Sequence, residues 1–260
     1  QILFSLGVTL LPGLLWLWFF YMQDKYEKEP PQMLLGVFAL GALAAFTLSK
    51  PLTAMLTPEV SVFEQSLLTQ FLSSFLVVGM IQLLVIFLVV RYSIYFSDEF
   101  NEPADGVIYS IAAGLGFAAA YNITYLNGLE SMNMGVVVTR IINFYLVMAI
   151  FSGIMGYFIG FAKFSKKGNF GREMFMLIGL LIATFIFAVY NVIVSKVQIF
   201  VEFFQKIFNI ETAAGEKSFS VGGELVVSSI VVIIIYIIMY FLLNKSVEAS
   251  PFKNQENKPE

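Results

Sequence analysis

Four carboxylates, Asp98, Glu99, Glu102 and Asp105, open the stretch DEFNEPADGVIYSIAAGLGFAAAYNITY over 98–125. Grouped carboxylates can take a proton from water or hold a hard cation, and this knot offers those two chemistries. A plainer reading is helix capping. Pro103 suits the first turn of a helix, and acids complement the positive end of the helix dipole. Capping is the preferred reading, with a substitute carboxylate site or a cation site as the alternative. The chain has no histidine and no cysteine. Imidazole is therefore excluded as base, relay or ligand, as are thiolate nucleophiles, thiolate metal sites and disulfides. Neither a cofactor nor a metal is expected, and a net charge of −3 speaks against nucleic acid as a partner.

Few other polar groups stand inside the apolar stretches. Arg140 needs a partner near the membrane. It is expected to snorkel to the interface, or else to pair with a bundle carbonyl or with Glu130. Asn122 and Asn191 are expected to hydrogen-bond between helices, with Tyr121 and Tyr190 adding hydroxyls to the same polar pocket. The sharper alternative is that this pocket contacts the amide of a partner chain.

The elements that position these residues are membrane helices. Hydrophobic residues make up 58% of the 260, charged residues 13%, and the mean hydropathy is +0.82, against about 25% charged in soluble domains. Apolar runs predict an all-α, polytopic membrane bundle of about seven spans, near 2–22, 33–49, 67–95, 106–127, 134–162, 174–195 and 224–244. The chain opens at Gln1 inside an apolar run, so further residues upstream are expected. The loop KFSKKGNFGRE carries Lys163, Lys166, Lys167 and Arg172 and is expected to face the cytoplasm. The N-terminus is then outside and the tail inside, in a bacterial inner membrane. Residues 197–210 predict an amphipathic helix lying on the outer surface, with Gln198, Glu202, Gln205, Lys206 and Asn209 opposite phenylalanines. Residues 1–245 read as one transmembrane domain, and 246–260 as a disordered polar tail. QDKYEKEPP, before the second span, reads as a solvated loop. Small residues at helical spacing, Ala112, Gly116 and Ala120 on the fourth span and Ser152, Gly156 and Gly160 on the fifth, predict close packing of those two helices.

Four segments carry a resemblance: PGLLWLWFFYMQDKYEKEPPQMLLGVFALGAL (12–43), FNEPADGVIYSIAAGLGFAAAYNITYL (100–126), RIINFYLVMAIFSGIMGYFIGFAKF (140–164) and FAVYN (187–191). In this order they resemble the PrsW family of bacterial intramembrane proteases, over the chain up to about residue 195. The resemblance implies a site of two adjacent glutamates on one helix, a Glu-Asn on the next, and histidines on the two following helices. Such a set activates water against a peptide carbonyl, while histidine and asparagine steady the oxyanion or support a metal.

Carried onto this chain, the glutamate pair falls at Gln82 and Leu83, and a lysine three residues on falls at Ile86. The Glu-Asn becomes Tyr121-Asn122, and the two histidine positions are Met148 and Phe187. Every proton-transferring position is apolar or aromatic, apart from one neutral amide. The expected function is a pseudoprotease that binds or scaffolds another membrane protein through its third to fifth helices. The alternatives are an active protease with a carboxylate relocated to the knot, and a structural subunit of a membrane complex.

Overall fold

The computed structural model describes residues 2–23, 27–60, 66–128, 134–195 and 216–254. Among the described residues seven helices follow one another: α1 (Ile2–Tyr21), α2 (31–60, its membrane span Pro31–Leu56), α3 (Leu67–Ser93), α4 (Pro103–Asn127), α5 (Met134–Lys163), α6 (Asn169–Ser195) and α7 (Glu216–Glu248). A short 3-10 turn, Pro251–Asn254, ends the described chain. Six of the helices are long and apolar enough to cross a membrane, and α1 is a 20-residue apolar helix. The expected all-α polytopic bundle is what forms, because a helix satisfies its own backbone in lipid. The interfacial helix expected at 197–210 lies outside the described residues.

Three expectations need correction. The second span does not stop at residue 49. A π turn, Ala45–Ser49, widens the helix just before Pro51, and the helix resumes at Lys50–Val60. Proline lacks a backbone donor and crowds the preceding turn, and a wide turn immediately upstream accommodates it. Of the tail expected at 246–260, residues 255–260 lie outside the described residues, and the part before them is ordered structure. α7 continues to Glu248, Ser246 is buried, and Ser250 is buried with its hydroxyl donating to Glu102 Oε2. QDKYEKEPP is not wholly a solvated loop either. Glu29 is only 4% exposed and accepts a hydrogen bond from the Tyr109 hydroxyl on α4.

α4 is the axis of the bundle. Every residue from Pro103 to Ala120 is buried. Its small residues let the backbones of α2 and α5 approach on two different sides. On the α2 side, a Cβ added at Gly116 would lie 1.8 Å from the Phe38 carbonyl oxygen, and one added at Gly41 would lie 2.1 Å from that of Ala113. On the α5 side, a Cβ at Gly156 would lie 2.2 Å from the Gly106 carbonyl oxygen, and one at Gly160 would lie 2.1 Å from that of Pro103. The Ser152–Gly156–Gly160 stripe therefore meets α4 as expected. Its counterpart there is the face of Gly106, Ser110 and Gly114. Gly116, expected to face α5, instead faces α2.

The loops between α1 and α2, between α3 and α4 and between α5 and α6 gather with the end of α7 at one end of the bundle. Asp105 Oδ2 accepts the backbone N–H groups of Asn101 (2.6 Å) and Glu102 (2.7 Å), so the knot caps α4. Lys163 Nζ donates to the Ser97 carbonyl (3.1 Å), and Arg91 on α3 pairs with Glu173 on α6.

A direct check is the pair Gly116→Ala and Gly36→Ala. No heavy atom lies within 4 Å of a Cβ built at Gly36. Gly116→Ala is expected to cost about 1–3 kcal/mol, the usual range for overpacking. Thermal unfolding in detergent should show it melting well below the wild type, with Gly36→Ala unchanged. Equal melting of the two variants would refute the backbone contact.

Candidate functional site

The positions singled out from the sequence lie on α3 (Gln82, Leu83), near the end of α4 (Tyr121, Asn122), on α5 (Met148) and on α6 (Phe187). On α3, a π turn at Ser74–Gly79 leads into the helix that carries Gln82 and Leu83. π turns inside α-helices recur at functional sites, and a second one, Ala45–Ser49, sits on α2 beside Tyr121. Ser49 Oγ and the Tyr121 hydroxyl are hydrogen-bonded at 3.0 Å. Gly79 lets α3 close onto α6, where an added Cβ would lie 2.7 Å from the Phe187 ring.

The centre is filled by side chains that pack. The Phe187 ring meets Phe151 edge-on, with centroids 5.3 Å apart, and Phe151 also touches Tyr190 at 5.8 Å. Tyr121 stacks on Phe117 at 4.9 Å and reaches Phe144 at 5.9 Å. Met148 lies one helical turn from each of Phe144 and Phe151 and is fully buried, as is Leu83. Gln82 is the exception. It is 6% exposed, and its Oε1 has no hydrogen-bond partner among the described residues. Leaving such an amide acceptor unpaired in the interior costs about 1–3 kcal/mol.

The polar pocket forms in part. Arg140 Nη1 donates to Asn122 Oδ1 at 3.0 Å, and Asn122 Nδ2 donates to the Ile141 carbonyl at 3.3 Å. The guanidinium lies 3.6 Å from the Tyr125 ring centroid, a cation–π contact. Arg140 thus takes a side-chain amide and an aromatic face as partners, where a snorkelling cation or a carbonyl partner was expected. Glu130 lies outside the described residues. Tyr190 belongs to the Phe151 cluster, and Asn191, half-buried, is not joined to the Asn122–Arg140 pair among the described contacts. The sequence reading missed Lys50, which donates to the Ala120 carbonyl (3.3 Å) and to Thr124 Oγ1 and lies 4.1 Å from the Phe46 ring centroid. A lysine beside a proline reads as the end of a span, and the π turn that keeps it within the helix has no sequence signature.

The acidic knot is remote from this centre. Asp105 and Tyr121 lie on one helix, sixteen residues apart, or about 24 Å at a rise of about 1.5 Å per residue.

With this arrangement in view, comparison with known proteins is informative. Residues 29–242 match the profile of the PrsW family intramembrane metalloproteases. The chain belongs to that family, and the match runs past residue 195, where the motif resemblance ended, into α7. It is 34% identical over 191 residues to Protease PrsW of Geobacillus kaustophilus, covering 73% of this chain and 78% of that protein. Protease PrsW of Bacillus subtilis is 27% identical over 75% of this chain and 83% of its own length. That of Clostridioides difficile is 28% identical over 72% and 77%. No solved structure matches. The protein is therefore a multi-span membrane protein with bacterial relatives.

The family description implies a metal, and the residues present do not fit one. The chain has no histidine or cysteine, and among the described residues no three carboxylates are grouped to hold an ion. The mapped positions offer an amide, a phenol, a thioether and hydrocarbon, none of them a strong ligand for a catalytic divalent metal.

The unpaired amide gives a test. Gln82→Leu removes a buried amide whose oxygen has no partner among the described residues while keeping most of the volume. It is expected to raise stability by about 1–3 kcal/mol, whereas Gln82→Ala should lower it through the cavity left behind. A Gln82→Leu variant that melts at or below the wild-type temperature would show that the amide has a partner in the folded protein.

Proposed function

We propose that this PrsW-family chain is a pseudoprotease, which holds a segment of another membrane protein along α3–α5 without cutting it. The observation that carries the reading is the filling of the mapped site. Gln82, Leu83, Tyr121, Met148 and Phe187 stand where the motif resemblance puts the family's acids and imidazoles, and four of the five are buried in packing contacts or fully enclosed. Peptide hydrolysis needs a group to take and return a proton and a group to stabilise the oxyanion. Leucine, methionine and phenylalanine supply neither.

Two further observations favour this over a relocated active site. The two buried knot carboxylates are engaged in structure, Asp105 bonded to two backbone N–H groups and Glu102 to Ser250. They also sit about 24 Å along α4 from Tyr121. The knot end, with the basic loop of Lys163, Lys166, Lys167 and Arg172, is taken to face the cytoplasm on the basic-residue bias. Residues 1–245 then form one transmembrane domain with an external N-terminus. The retained amide of Asn122, held by Arg140, is the polar group best placed to meet the backbone of a client segment.

The test compares membranes from cells that make the chain with membranes from cells that lack it, by sequencing new N-termini of membrane-protein fragments. The expected result is one fragment pattern in both, together with an intact membrane partner that co-purifies with the chain in mild detergent. A cut inside a membrane segment that appears only when the chain is present would overturn the proposal.

A further inference from the structure

At the knot end, the α5–α6 turn and the end of α7 line an open cavity of about 370 Å³. Its walls are the rings of Phe161, Phe164 and Phe175, and Ser165, Lys167 and Ala249 stand around it. α5 ends at Lys163, α6 begins at Asn169 and α7 ends at Glu248. The cavity therefore lies where three spans leave the membrane, at headgroup depth. Of its walls, Phe164 is 42% exposed, and Phe170 in the first turn of α6 is 80% exposed. Exposed aromatic rings at this depth are at home in the interfacial layer.

The charge around it is one-sided. Lys167 stands at the cavity, and Lys166 is exposed beside it in the chain. Arg172 Nε and Nη2 donate to the Ser165 carbonyl at 3.2 and 3.0 Å, which fixes the guanidinium against the same wall. Of the acids at this end, Glu173 pairs with Arg91, Glu102 is buried under Ser250 and Asp98 acts on Lys163. Glu248, exposed next to Ala249, is outnumbered by the three cations.

We infer that this cavity seats one anionic phospholipid, its phosphate against Lys166, Lys167 and Arg172 and the start of an acyl chain against the three phenylalanines. A free phosphate would leave the aromatic wall uncovered. A zwitterionic lipid would bring an ammonium to a cationic rim. A juxtamembrane basic residue contributes on the order of 1 kcal/mol to anionic-lipid attraction, so the rim alone gives a weak preference and the cavity makes it a site. The bound lipid would bridge the α5–α6 turn to the end of α7.

The experiment uses the full chain in detergent, offered phosphatidylglycerol, phosphatidylcholine with the same acyl chains, or inorganic phosphate. Native mass spectrometry reads the lipid retained, and thermal unfolding reads stabilisation. The wild type should keep one phosphatidylglycerol through washing that removes phosphatidylcholine, and phosphate alone should not stabilise it. Lys166→Gln with Lys167→Gln should lower retention about tenfold or more, as loss of two interfacial cations implies. Ala249→Phe, which fills the cavity and changes no charge, should lower it comparably. Undiminished retention in Ala249→Phe would mean surface attraction without a seat and would overturn the inference. So would equal retention of phosphatidylcholine, or equal stabilisation by phosphate.

Discussion

The rest of the structure depends on the bare contact of α4 with the backbones of α2 and α5. In a bilayer there is no hydrophobic force between helices, because lipid tails are as apolar as leucine, and close packing has to supply the attraction. Here it does so by removing side chains from the interface. Gly116 and Gly41 bring α2 against one side of α4, while Gly106, Gly156 and Gly160 bring α5 against the other. Once those two interfaces form, the positions of Tyr121, Asn122 and Met148 relative to one another are set, and α3 and α6 close around them.

The knot end locks what the glycines assemble. Asp105 caps α4, Tyr109 one turn later reaches Glu29 in the α1–α2 loop, and Glu102 takes the Ser250 hydroxyl from beyond α7. Two segments distant in sequence are thus tied to the first two turns of one helix. Buried acids in a membrane protein invite a functional reading. In this case the acids meet the chain's own backbone, hydroxyls and one another, Asp105 lying against Glu29, and the backbone contacts of Asp105 are the chemistry of a cap.

The sequence made the spans and the packing helices legible, since composition and small-residue spacing respond directly to lipid. Span ends were less legible. Lys50 and Pro51 mark a boundary by every local rule, and the π turn that carries α2 past them depends on what α4 offers, namely the Ala120 carbonyl and Thr124. The direction of the Gly116 stripe was also hidden, because spacing identifies a face but not the helix it meets. The same limit applies to Glu29. EPP reads as a turn, and only the fold brings Tyr109 above it. For the site, the sequence named the positions, and the structure added their surroundings: an aromatic cluster of Phe151, Phe187 and Tyr190 on one flank and Phe117, Tyr121 and Phe144 on the other.

On the proposed reading, those surroundings also explain how a family fold persists without the family chemistry. A catalytic set of carboxylates and imidazoles inside a membrane is costly to hold, since each ionisable group needs compensation in a low-dielectric interior. Replacing it with leucine, methionine and phenylalanine removes that cost and gains packing, so loss of catalysis runs downhill in stability. What drift toward stability does not explain is what still costs energy. Gln82 keeps an unpaired amide, Arg140 keeps a desolvated guanidinium on Asn122, and two helices keep π turns on either side of the site. A chain selected only to fold would have lost these first. Their presence in a site emptied of acids is the physical reason to look for a bound polypeptide rather than for a reaction.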